Sequence, residues 1–181
     1  MRRIQVYVVI PPRPLLLDVA GPLEVLRRAN HVQTAVRFEV HYVGPSSSVQ
    51  TSIGLTLMAI DPLPDRLPPG ALVVLAGDVE QVMLSAGHTR PVGSKADAAD
   101  ERAIVEWLRA VIQPGHKVIS ICSGALLAGR AGLLDGRACT THHSCCTELA
   151  ILALKPEFSK TVSMSRTATA TLAPGSRQVL T

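Results

Sequence analysis

The chain has 181 residues, 47% apolar and 18% charged, which suits one globular domain with a sizeable core and excludes general disorder. Aromatic residues make up 3%, too few for a surface that stacks single-stranded nucleic acid. The 18 Lys and Arg against 14 Asp and Glu leave a charge of +4, yet residues 1–157 hold 15 and 14 of these, so the basic excess sits in the tail and gives no sign of nucleic-acid binding by the body.

Ile4 to Ile10 is a β-branched run of strand length whose near-continuous hydrophobicity predicts a strand covered on both faces of a parallel sheet. Pro11, Pro12 and Pro14 interrupt it, so the N-terminus lacks the apolar segment of a signal peptide. No apolar run reaches the length of roughly 18 residues that a membrane helix needs, and a cytoplasmic protein is expected. Pro22 is expected at the first turn of a helix carrying Leu23, Val25, Leu26 and Ala29. Val36 to Val43 alternates and predicts a second strand. Thr51 to Ile60 predicts a hairpin or short strand around Gly54, and Ala71 to Ala76 a buried strand closed by Gly77 and Asp78.

Asp97 to Ile112 predicts an amphipathic helix, with Ala103, Ile104, Trp107, Leu108, Val111 and Ile112 on its apolar side. Lys117 to Ile121 reads as a short strand that runs into Cys122, Ser123 and Gly124, and a helix is expected from Ala125 to Ala131 before Gly132. Strands and helices in alternation predict an α/β fold with a mostly parallel sheet and right-handed crossovers.

The strand-to-helix turn at Cys122 has the form of a nucleophile elbow. Small neighbours, Ser120, Ser123 and Gly124, permit a tight turn that presents one side chain at the carboxyl end of the sheet. A Cys at a helix N-terminus feels positive partial charge, which favours thiolate near neutral pH. Taken from the residues alone, Cys122 is either such a nucleophile or a buried small apolar side chain. Four cysteines, Cys122, Cys139, Cys145 and Cys146, are too few and too clustered for a disulfide scaffold. Cys139, His142, His143 and Cys145 lack the paired C-x-x-C spacing of a zinc site, so no metal is expected. Trp107 is expected in the core, and Met58, Met83 and Met164 as gap fillers or surface.

Ile121 to His143 resembles the signature of the DJ-1/PfpI superfamily, whose fold is related to class I glutamine amidotransferases. Leu16 to Leu26 (LLDVAGPLEVL) resembles the element D-x-x-G-P-x-E-V-[LF] shared by isonitrile hydratases and by the amidase-like sensor domains of AraC-type transcriptional regulators. The likeness covers residues 4 to 157 and implies a flavodoxin-like three-layer α/β/α sandwich.

Carried over position by position, the resemblance makes Cys122 the elbow cysteine. Asp18 is the acid that approaches it from the first strand-helix loop, and His142 the family histidine. Gly77 opens a turn whose N–H groups form an anion pocket, which Asp78, Ser123 and Gly124 complete. The implied chemistry is thiolate attack on an electron-poor carbon, with Asp18 moving a proton and the N–H groups of Gly77 and Ser123 holding developing negative charge. In a hydratase this would add water to an isocyanide. Without chemistry the pocket would bind a small polar or anionic metabolite. No cofactor is implied, and a homodimer is.

Two positions and the tail depart from the family pattern. Asp78 stands where a second glycine is usual, and His143 where hydratase-like members tend to carry Trp, so that His142-His143 resembles the regulator branch. Residues 158–181 replace the expected D-R-I-Y-V-x-D-G-like strand, its Gly-rich turn and a last helix with a Ser/Thr/Ala-rich stretch. Thr161 to Thr169 can be encoded so that an adjacent reading frame spells R-I-Y-V-E-D-G-N, which predicts a frame change near residue 160 and a domain that lacks its last strand and helix. No helix-turn-helix can be read in the 181 residues, so DNA binding by this chain itself is not expected.

Overall fold

The computed structural model describes residues 1–79, 82–83 and 93–153, together with the backbone of residues 157–158 and 179–180. Its elements run β1 (Arg2–Val9), α1 (Leu16–Val32), β2 (Val36–Gly44), β3 (Ser48–Gln50), β4 (Thr56–Met58), β5 (Asp61–Pro62) and β6 (Leu72–Leu75). They continue with α2 (Lys95–Val111), β7 (Lys117–Ser120), α3 (Gly124–Arg130), β8 (Ala138–Cys139), a 3-10 turn (His143–Cys145), α4 (Cys146–Leu152), β9 (Glu157–Phe158) and β10 (Val179–Leu180).

Six strands form one sheet in the order β10-β7-β6-β1-β2-β5, and every adjacent pair is parallel. The apolar runs of β1 and β6 show why. Val6, Val8 and Ile10 meet Leu72, Val74 and Val19 of α1 on one face, while Val9, Val73 and Leu75 meet α2 and α3 on the other. Side chains that alternate along a strand have no polar side to give to water, so helices must cover both faces. The result is the expected three-layer α/β/α sandwich, with α1 on one face and α2, α3 and α4 on the other.

The expected elements are present with shifted ends. The helix expected from Pro22 instead begins at Leu16, which places Pro22 in its second turn and Asp18 in its first turn, not in a loop. Leu15, at the N-cap, offers no side-chain cap; the Leu16 N–H is accepted by Ser52 Oγ, 36 residues away, at 3.3 Å. A cap supplied by the tertiary fold leaves no local signal. For α2 the signal is local: Ser94 and Asp97 form a capping box, two residues earlier than the apolar pattern suggested.

The hairpin is β3 against β4, with Gly54 at φ +80 in its loop. Trp107 is buried and donates Nε1–H to Pro64 O at 2.7 Å, whereas Met58 and Met83 are exposed. The sequence reading leaves the sheet without its last strand, but Val179–Leu180 pairs with Val118–Ile119 as β10. Any two extended residues there satisfy N–H and C=O groups that an open edge of β7 would expose. Among the described residues no helix follows α4. Met164, residues 84–92 and nearly all of 158–181 lie outside the described residues.

Candidate functional site

Three connections converge at the carboxyl end of the sheet: β1 into α1, β6 into its following turn, and β7 into α3. The last of these carries Cys122, in a left-handed conformation at φ +54. Such a backbone costs an L-residue roughly 1–2 kcal/mol. The turn is held by its surroundings: Ile121 N–H donates to Leu75 O at 3.0 Å and Thr141 Oγ1–H to Cys122 O at 2.9 Å. Gly124 is required next to it, because a Cβ there would lie 2.4 Å from Leu75 O. That close approach brings the start of α3 onto β6 and Cys122 alongside Gly77.

Gly77 meets the other site residues directly. A Cβ on it would lie 2.6 Å from Asp18 Oδ2, 2.9 Å from Ser123 Oγ and 3.1 Å from Cys122 Cβ. The Gly77 N–H donates to Asp18 Oδ2 at 3.2 Å, and the Asp78 N–H to Ser123 Oγ at 3.0 Å. The Ser123 hydroxyl in turn donates to Asp78 O at 3.0 Å, with Asp78 Oδ1 at 3.4 Å. The N–H groups of Gly77 and Asp78 thus each serve an acceptor of the chain itself.

The electrostatics differ from the expectation of a thiolate. Burial raises the Cys122 thiol above its ordinary value; the Ser123 N–H opposes this, while Asp18, Cys145 and Asp78 add to the rise. Desolvation and the neighbouring groups therefore outweigh the Ser123 N–H at the start of α3. Burial also raises the Asp18 carboxyl, against the Gly77 N–H and His142, which lower it. Burial thus pushes both the Cys122 thiol and the Asp18 carboxyl toward their neutral forms.

The structure brings Asp18, Gly77, Asp78, Cys122, Ser123 and Gly124 together. His142 sits at the rim: it is exposed, its Nδ1 pairs with Ser144 Oγ at 2.8 Å, and its ring lies 4.1 Å from that of His143. Among the described residues no group of three or more His, Cys, Asp or Glu is placed to hold a metal ion. No helix among them is long and apolar enough to cross a membrane.

Sequence reasoning missed Arg13. It is buried, donates from Nε to Val79 O at 2.7 Å and from Nη1 to Asp97 Oδ2 at 2.5 Å, and its Nη2 lies 3.4 Å from Asp78 Oδ2. The available signal was one charge inside the run Pro11, Pro12, Arg13, Pro14, with its partners Asp78 and Asp97 far away in the sequence.

Comparison with known proteins agrees with this architecture. A Streptomyces lividans protein, described as the uncharacterized protein in the cpoL 5' region, is 34% identical over 128 residues, 70% of this chain and 79% of that protein. The HTH-type transcriptional regulator GbdR of Pseudomonas aeruginosa is 29% identical over 131 residues, and the matched part spans only 31% of its length. Among solved structures, a THiJ/PfpI family protein from Pseudomonas syringae superposes with a TM-score of 0.63 at 22% identity, over 90% of this chain and 60% of that one. An AraC family transcriptional regulator from Pseudomonas putida does so at 0.57 and 18%, over 89% and 77%. These two similarities speak for the fold. The model of the DJ-1/PfpI family matches residues 4–174, nearly the whole chain, and this protein belongs to that family.

Proposed function

We propose that the chain is the ligand-sensing DJ-1/PfpI domain of an AraC-type transcriptional regulator, acting in the cytoplasm as a homodimer and binding a small polar molecule beside Cys122. One observation carries the reading. The N–H groups of the Gly77–Asp78 turn are engaged by Asp18 and Ser123, and burial pushes the thiol toward its neutral form. A site so arranged offers hydrogen-bonding groups to a ligand but little stabilisation to a developing negative charge. The resemblance to regulators supports the setting. The body, with its near-balanced charge, is not proposed to touch DNA. Incubating the purified chain with an alkyl isocyanide, beside Cys122→Ala, tests this. No formamide above background is expected, and formamide that depends on Cys122 overturns it.

A second reading, a cysteine-dependent isonitrile hydratase, is favoured by the strained backbone of Cys122 next to an acid able to carry a proton. The thiolate would add to the isocyanide carbon while Asp18 supplies the proton. Water would then add to the thioimidate carbon and displace the thiolate, releasing an N-substituted formamide, with the proton freed from water returning to Asp18. Gly77 N–H would have to leave Asp18 to assist.

The proposed family domain is residues 1–157, and residues 158–181 are proposed to be read in a shifted frame. The gene sequence tests this: the adjacent frame should encode R-I-Y-V-E-D-G-N and, further on, a helix-turn-helix. Its absence there overturns the idea.

A further inference from the structure

Arg13 is the hub of a part-buried ionic cluster that reaches the site from the β1–α1 connection. The backbone on either side of it is zipped to the Gly77–Asp78 turn. Val79 N–H donates to Arg13 O at 3.1 Å, Leu15 N–H to Gly77 O at 2.9 Å, and Pro14 bridges Asp78. The guanidinium adds the bonds to Val79 O and Asp97 and the approach to Asp78 described above, and its Nη2 stands 3.8 Å from Glu101 Oε1. Its planar fork serves three directions at once, which a lysine ammonium on a flexible stem does not.

The far side of Asp78 faces the site, where Ser123 Oγ accepts its N–H and lies 3.4 Å from its Oδ1. Ser123 is the residue after Cys122, and its N–H serves the sulfur. The ionisable groups around Cys122 are Asp18 from α1, Asp78 from the turn after β6, and Cys145 from the 3-10 turn. Those around Asp78 and Arg13 are Asp97 and Glu101 of α2, Glu101 also bonding Arg130 of α3 at 3.0 Å.

We propose that Arg13 is a positioning residue for Cys122: its guanidinium holds the Asp78 carboxylate in place against Ser123 and offsets part of its charge, so that Asp78 suppresses the reactivity of the thiol less than it otherwise would. This holds whether Cys122 attacks a carbon or only lies beside a bound molecule. It therefore stands apart from the sensor reading.

The test is the pH dependence of Cys122 alkylation by iodoacetamide in the full chain, read on the Cys122 peptide by mass spectrometry so that Cys139, Cys145 and Cys146 do not contribute. Arg13→Gln should move the midpoint up by about half to one pH unit, which slows alkylation about threefold to tenfold at neutral pH. Asp78→Asn should move it down, and the double variant should return close to wild type. A purely structural Arg13 would lower the melting temperature while leaving the midpoint in place, or leave the double variant as shifted as Arg13→Gln. Either result overturns the proposal. Should Arg13→Gln not fold, Arg13→Lys carries the test: a shift of the same sign and smaller size supports the proposal, and none overturns it.

Discussion

Gly77 and Asp18 are locked together: the glycine N–H donates to Asp18 Oδ2 at 3.2 Å, and a Cβ on Gly77 would stand 2.6 Å from the same oxygen. The hydrogen bond and the missing side chain are one device, since only glycine lets the carboxyl come so near the backbone while Ser123 Oγ and Cys122 Cβ crowd the same position. Gly77→Ala must therefore displace Asp18 or Ser123. A loss of about 1–3 kcal/mol in urea unfolding is expected, as for other overpacked sites. Ligand binding or turnover should fall with it, and a variant of wild-type stability would refute the crowding.

Replacement of Cys122 should reverse the usual order of Ala and Gly. At φ +54 an alanine keeps the strain and a glycine relieves it. Cys122→Gly is expected to be more stable than Cys122→Ala by about 1 kcal/mol, measured by urea unfolding. The opposite order would mean that the turn relaxes once the thiol is removed.

Asp18 should make the protein less stable as pH rises. Its folded-state carboxyl is raised, mainly by burial, so the fold favours the protonated form. Stability is greatest below the ordinary Asp value, about 3.9, and declines as pH climbs through that value toward the folded one. Asp18→Asn keeps an acceptor for the Gly77 N–H and removes this decline. Unfolding curves from acid to neutral pH should show the variant gaining on wild type as pH rises, and parallel curves would contradict the assignment.

His116 acts in the opposite sense. It is buried, and burial lowers it, although the carbonyls of Pro68, Leu67 and Val111 oppose the change. Its Nδ1 accepts the Gln113 N–H at 3.1 Å, which needs an unprotonated nitrogen there. The fold therefore favours neutral imidazole, and stability is present above the ordinary His value, about 6.5, and lost as pH falls through it. His116→Gln should flatten the acid side of the stability profile. An unchanged slope would place the acid sensitivity elsewhere.

Much of the fold was legible in the chain because its signals are local. The apolar runs of β1 and β6 require cover on both faces, and the spacing of Ile104, Trp107, Leu108 and Val111 marks the buried side of α2. The turn at Cys122 announces itself through its small neighbours. The start of α1 did not, because its cap is Ser52, and Arg13 did not, because its partners Asp78 and Asp97 lie 65 and 84 residues away.

The chain by itself determined that Cys122 would stand at a tight strand-to-helix turn at the end of a parallel sheet, and its resemblance to the family added Asp18 and Gly77 as companions. Periodicity, small residues and two ordered motifs are properties of neighbouring positions. Only the tertiary structure decided the state of those groups: a thiol and a carboxyl both pushed toward neutrality, two N–H groups already satisfied, and an arginine standing against Asp78. Desolvation and charge depend on what lies within a few ångströms in space, and residues far apart in the sequence supply it.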